Sequence, residues 1–296
     1  MDEQQRGVAY GVAAYALWGL FPLFWPLLRP AGDVEVLAHR VLWSLVLLLV
    51  VLQVTRGWGA VRASDRGSRV RLVVAALLLT GNWGTYIYGV NSGQVVETSL
   101  GYFINPLVSV ALGVVVLGER LRAQQQVAVG IAVVAVGVLT VANGRPPWIA
   151  LVLAFSFGTY GLLKKQAGVG AVPSLAIETL AVGPIALGYL LLLAATGEGT
   201  FTTSGPDHTA LLMASGVVTA VPLLLFGAAA TRVPLTTLGV LQYLAPVLQL
   251  LVGLAVRHEP FGPARQLGFA LVWVALAVFT YDLVRHRRRL VSVAEC

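Results

Sequence analysis

The sequence predicts an all-α integral membrane protein with ten transmembrane helices in two inverted five-helix repeats. Three observations carry that prediction. Of 296 residues, 57% are hydrophobic and 11% charged, with a mean hydropathy of +0.82, too little polar surface to clothe a soluble globule. The apolar residues gather into ten runs, each near the roughly twenty residues needed to cross hydrocarbon. The second half of the chain echoes the first at a nearly constant offset. The period-2 alternation of a membrane barrel is absent, and backbone hydrogen bonding leaves helices as the reading of such runs.

The runs cover residues 7–28, 36–55, 70–91, 95–118, 123–142, 148–163, 172–195, 209–230, 235–256 and 267–284. The first is too long for a signal-peptide core and lacks a small-residue cleavage site, so it reads as a retained helix. Basic residues set the orientation. With the N-terminus inside, fifteen Lys and Arg fall on inside segments, including Arg56, Arg62, Arg66, Arg69 and Arg71, while Arg29, Arg40, Arg145, Arg257 and Arg265 fall outside. That excess predicts both termini in the cytoplasm of a multi-pass cell-membrane protein. It also accounts for the net charge of +7 without a nucleic-acid partner. The single cysteine, Cys296, excludes an intramolecular disulfide and a cysteine metal cluster.

The internal echo defines the domains. A shift of 140 places Pro106 on Pro246, Glu119 on Glu259 and Leu121 on Phe261; a shift of 139 places Trp18 and Gly19 on Phe157 and Gly158. The first repeat is taken as residues 1–145, the second as 146–284, and residues 285–296 as a basic cytoplasmic tail. Five helices per half is an odd number, so the second half enters the membrane in the opposite sense.

A polar stripe recurs on four runs. In the fourth, Thr98, Gly101, Tyr102, Asn105 and Ser109 share one helical face, with Leu100, Phe103, Ile104 and Leu107 opposite. In the ninth the face holds Gly239, Gln242, Tyr243, Pro246, Gln249 and Gly253. The third offers Asn82, Thr85, Tyr86 and Gly89, and the first Gly11, Tyr15, Trp18, Gly19, Pro22 and Trp25. Aromatic walls with a few amides suit a small, partly apolar ligand whose polar atoms fix its orientation. The candidate substrate-binding residues are Trp18, Tyr86, Tyr102, Asn105, Gln242 and Tyr243, near the midplane. Gly101, Gly239 and Gly253 are read as helix-contact sites, and Pro106 and Pro246 as kinks or hinges.

Ionisable residues in such runs are costly and informative. Glu178 lies about two turns inside the seventh run, Glu97 opens the fourth, and His39 and Arg40 open the second at an interfacial position. Burial raises the titration of a carboxyl and lowers that of an imidazole, which lets a carrier take up and release protons, so Glu178, Glu97 and His39 are proton-coupling candidates. Glu119 and Glu259, at helix ends beside arginines, are assigned ion-pairing roles or the capping of the next helix. The four histidines show no paired metal spacing, and neither H-E-x-x-H nor a P-loop occurs. No metal, cofactor, enzymatic activity or intrinsic ATP hydrolysis is expected, and any drive is ionic or downhill.

The run NWGTYIYGVNSGQVVETSLGYFINPLVSVALGVVVLGERL, the early WGLFP, HRVLWS from His39, and the later LGVLQYLAPVLQLL followed by HEPF resemble the RarD-type branch of the EamA transporters, in the drug/metabolite transporter superfamily. The resemblance implies a ten-helix inverted-repeat carrier of the inner membrane. Its cargo would be small metabolites or drugs, chloramphenicol-like or amino-acid-like amphipathic solutes, moved by alternating access with export as the expected direction. A channel-like facilitator or a transport-inactive scaffold or receptor is the alternative. One departure from the repeat is Pro260, which stands where the first half has Arg120, so the two helix ends are not given identical roles.

Overall fold

A computed structural model describes residues 2–55, 57–118, 121–230, 232–233 and 235–294. Among these residues every regular element is helical. Glu119, Arg120 and Cys296, and the expectations attached to them, lie outside the described residues.

Helix α1 (Glu3–Phe24) starts at a capping box: Asp2 Oδ1 accepts from the Gln5 amide at 2.6 Å, and Gln5 Oε1 accepts from the Asp2 amide at 3.1 Å. This pairs two amide donors left free at a helix start. It passes into a 3₁₀ turn at Trp25–Leu28. Helix α2 (Asp33–Val54) follows, then the short α3 (Trp58–Ala63), α4 (Arg66–Asn91), α5 (Val95–Leu117), α6 (Ala123–Asn143), α7 (Trp148–Ala167), α8 (Ala171–Thr196) and α9 (Pro206–Ala230). Helices α7 and α8 stop at Gly168 and Gly197, at φ of +63° and +72°, a conformation that costs glycine little. Nine described segments are long and apolar enough to cross a membrane, and α7 supplies a shorter apolar stretch, Trp148–Lys164.

The ninth run is not one continuous helix. It forms α10 (Leu235–Leu241), a turn at Gln242 and Tyr243, α11 (Leu244–Leu251) and a π-helical turn, Val252–Val256. Pro246 has no amide to donate to the Gln242 carbonyl, and its ring crowds that carbonyl, so the helix parts there. Pro106 stands at the matching place in α5, yet α5 runs unbroken. The last helix, α12 (Pro263–Ala294), closes the fold.

Packing follows from the apolar faces. Helix α7 lies against α4 and α5, α6 against α12, α9 against α1 and α2, α8 against α2 and α4, and α11 against α1 and α5. One apolar core joins α5, α6 and α12 around Phe103, Ala135 and Phe269. A second joins the end of α1 to α4 and α7 around Trp25, Tyr86 and Ile149. Val115, Val133, Val141, Ile185 and Leu191 are exposed, as side chains facing lipid must be.

Close backbone approach tests the glycine reading. A Cβ on Gly101 would lie 2.8 Å from the Ala150 carbonyl oxygen, and one on Gly253 would lie 2.9 Å from Val96. Both are contact sites that tolerate no side chain. Gly239 has nothing within 4 Å, so the packing role expected for it is not found.

Candidate functional site

Of the six candidate substrate-binding residues, the fold brings Tyr86 and Tyr102 together. Their rings meet edge to face at 5.7 Å, and Tyr102 meets Phe157 of α7 at 6.4 Å. Tyr86 is buried and its hydroxyl has no hydrogen-bond partner. Asn105 lies one turn from Tyr102 on the same face of α5, and its Oδ1 is also buried without a partner. An unpaired buried polar atom costs free energy, on the order of 1–3 kcal/mol. These two lie on adjacent helices, α4 and α5.

Of the other three, Trp18 packs against the same apolar cluster as Tyr86 and Tyr102, while Gln242 and Tyr243 form the turn between α10 and α11. Trp18 packs edge-on against Tyr15 at 5.3 Å and against Phe226 of α9 at 5.8 Å. Gln242 sits in the break between α10 and α11. Tyr243 packs on the α5, α6 and α12 core and hydrogen-bonds Thr280 of α12. Asn82 is committed elsewhere, donating to the Leu153 carbonyl at 3.0 Å and to Ser156 Oγ at 2.9 Å.

Arg40 is the residue that the sequence reading misplaced. Helix α2 starts at Asp33 with Asp33 and Glu35 in its first turn, an acidic start that suits the positive helix end. Arg40 is therefore about 10 Å inside the helix at ~1.5 Å per residue, not at an interface. It is 2% exposed. Its Nε donates to Thr219 Oγ1 of α9 at 2.7 Å. Its guanidinium lies 3.9 Å from the ring centre of Trp83, 4.9 Å from Trp25 and 5.6 Å from Phe21, and it interacts electrostatically with Tyr86 and Tyr102. No carboxylate lies within ion-pairing distance among the described residues. Nη1 is buried with no partner.

Trp83 and Thr219 also line a cavity between α2, α4, α8 and α9, about 40 Å³ in volume. A water needs roughly 10–15 Å³ by this measure, so the space holds a few waters rather than a solute. Glu178 lines the same cavity. It is 3% exposed, paired with Lys164 Nζ at 3.0 Å, and accepts from Tyr160 Oη at 3.1 Å and Ser174 Oγ at 3.2 Å. Lys164 in turn donates to Tyr160 Oη at 2.9 Å. A buried acid in a network of this kind keeps its charge compensated.

The remaining coupling candidates sit apart, Glu97 at the α6–α7 connection and His39 under the α8–α9 loop. Glu97 accepts from the Ile149 amide at 3.0 Å, capping the start of α7, and lies 3.8 Å from Arg145. His39 is 3% exposed, against the interfacial expectation, and stacks on Phe201 of the loop at 4.7 Å. Glu35 holds that loop through the Thr200 amide at 2.7 Å. Glu259 does not cap the next helix as expected. Its two oxygens accept from the Val95 and Val96 amides of α5.

A bundle of apolar helices with a small, mostly apolar cavity that a buried acid helps to line defines a multi-pass membrane protein. The EamA-like transporter family model matches residues 5–141 and again 146–281, and the chain belongs to that family. Protein RarD of Streptomyces exfoliatus is 55% identical over 290 residues, 97% of this chain and 92% of that one. The uncharacterized transporter YojE of Bacillus subtilis is 43% identical, with 97% of each chain covered. Protein RarD of Escherichia coli is 40% identical over 98% of this chain and 99% of that one. A crystal structure 20% identical in sequence superposes with a TM-score of 0.60, covering 94% of this chain and 98% of the other, a likeness of fold. The family is one of transporters, not enzymes.

Proposed function

We propose that the protein is a secondary carrier that moves small amphipathic solutes across the cell membrane by alternating access between two inverted halves. Its binding site lies around Tyr86, Tyr102 and Asn105, with Gln242 at the helix break. The observation that carries this reading is an exchange of contacts between the halves. Gly19 of α1 packs on Leu248 of α11, and Gly158 of α7 packs on Val108 of α5; Gly101 of α5 packs on Ala150 of α7, and Gly11 of α1 packs on Leu241 of α10. Each pair maps onto its mate by the offsets 139 and 140 read from the sequence. The pairings α2 with α8, α5 with α11 and α6 with α12 map onto themselves. Two similar halves facing each other across an axis in the membrane plane can rock about a central site, which is what alternating access needs.

Both termini are proposed to be cytoplasmic, from the excess of inside Arg and Lys. A phosphatase fusion at Gly199, in the α8–α9 loop, is then active outside the cell. An inactive fusion beside working controls overturns the orientation.

Glu178 is the proposed coupling residue. A proton on its carboxylate would strip Lys164 of its counter-charge, so proton uptake and rearrangement of the α7–α8 pair are linked. Purified protein in liposomes, challenged with a panel of labelled solutes with and without a pH gradient, tests substrate class and coupling together. Glu178→Gln should abolish gradient-driven accumulation and leave downhill exchange measurable. Accumulation at the wild-type level in the variant returns Glu178 to a structural role.

A further inference from the structure

We infer that Arg40 is an anion-binding residue, and that the solute it receives is a carboxylate with a flat, apolar body. The inference deepens the carrier reading by giving the cargo a charge. A cation about 10 Å inside a membrane helix is retained only where its charge is compensated. Three aromatic faces and the Thr219 hydroxyl stabilise the guanidinium, but they leave Nη1 with no acceptor. Stacking on aromatic faces uses the plane of the guanidinium and spares its edge, which is the part that binds oxygen anions.

Charge and donor count select the anion. The Tyr86 hydroxyl, on a residue that interacts electrostatically with Arg40, is likewise buried without a partner. One positive charge with two free donors matches a monoanion with two oxygens. A phosphate dianion would bury a second charge without a partner, at a cost of several kcal/mol. The rings of Phe21, Trp25, Trp83 and Tyr102 offer faces and edges for a flat apolar body. Asn105, one turn below Tyr102, adds an amide for a further polar group.

Trp83 both stacks on the guanidinium and lines the cavity, so the cavity reaches the wall of the Arg40 site.

The test is ligand-induced thermal stabilisation of the purified full chain in detergent at neutral pH. Matched probes are used: benzoate against benzamide, phenylacetate against phenylacetamide, indole-3-acetate against indole-3-acetamide, with chloride and sulfate as inorganic anions. At least one carboxylate should raise the melting temperature where its amide at equal concentration does not. Arg40→Gln should weaken that carboxylate by ~10- to 100-fold, the loss of one charged hydrogen bond, and Arg40→Lys by less. Unliganded melting of each variant separates misfolding from lost binding, and Tyr86→Phe, which leaves Arg40 in place, should weaken the same carboxylate ~5-fold or more. The inference is overturned if no carboxylate stabilises the wild type, if amides do so equally, if chloride or sulfate does so as well as the carboxylate, or if Arg40→Gln binds as tightly as wild type. Flux separates it from the carrier reading. Arg40-dependent binding with no transport of the bound carboxylate keeps the anion site and removes the carrier. Transport of a neutral solute by the wild type, with no carboxylate stabilising it, does the reverse.

Discussion

Glu259 and Val96, in opposite halves of the chain, are joined at 2.8 Å: the carboxylate accepts the Val96 amide through one oxygen and the Val95 amide, at 2.6 Å, through the other. Gln94, at the N-cap of α5, makes no side-chain cap of its own. Glu259 replaces it from the far half, satisfying two orphan donors at the positive end of the helix. Gly253 lets the segment approach, since a Cβ there would strike Val96.

Removing that carboxylate should loosen the start of α5. Glu259→Ala is expected to cost about 1–3 kcal/mol, seen as an apparent melting temperature lower by several degrees, and Glu259→Gln less because one acceptor remains. An unchanged melting curve for Glu259→Ala would show that water replaces the cap.

A second helix-to-helix bond is expected to show coupling. Pro22 has no amide for the Trp18 carbonyl, and Gln249 Nε2 of α11 donates to that carbonyl instead, at 3.2 Å. Gln249→Leu leaves the carbonyl short of a donor and should destabilise by about 1 kcal/mol. Pro22→Ala restores an amide within α1. The double variant should therefore melt above Gln249→Leu alone, and strict additivity of the two changes would refute the exchange of donors.

Gly101→Val is expected to abolish or sharply reduce folded protein, because the added atoms meet the α7 backbone. Gly137 of α6 is exposed, and a Cβ added there would have nothing within 4 Å, so Gly137→Ala should leave melting unchanged or raise it slightly. Size-exclusion profiles in detergent distinguish the two, and equal profiles would contradict the packing described at Gly101.

Asn105→Ala and Gln242→Ala should weaken binding of a transported solute by roughly 5- to 150-fold, as loss of one buried hydrogen bond does. Ser109→Ala should matter less. Tyr243→Phe removes the bond to Thr280 and should lower stability without changing affinity. Normal transport by both amide variants, with reduced melting temperatures, would make the amides helix contacts.

The helical runs were legible because hydropathy over about twenty residues is a local signal, and the glycine contacts at Gly101 and Gly253 followed from composition. The kink read at Pro246 is found as the break at Gln242 and Tyr243, whereas the one read at the matched Pro106 is not, since α5 runs unbroken through it. Neighbouring helices decide which occurs. Arg40 was misread because the apolar run begins at Val36, while the helix begins at Asp33; the acidic pair Asp33 and Glu35 was the available signal. Its partners Trp83 and Thr219, and the hold of Glu259 on α5, are separated by scores to well over a hundred residues and leave no trace in local sequence.

Solute counterflow tests the central claim most directly. Liposomes holding the protein and a high internal concentration of an unlabelled solute are diluted into a trace of the same solute, labelled. A carrier that exposes one site alternately should accumulate label transiently above equilibrium, with an initial rate that saturates as external solute rises. Label that enters only to equilibrium, at a rate proportional to concentration, would contradict the carrier and leave a channel.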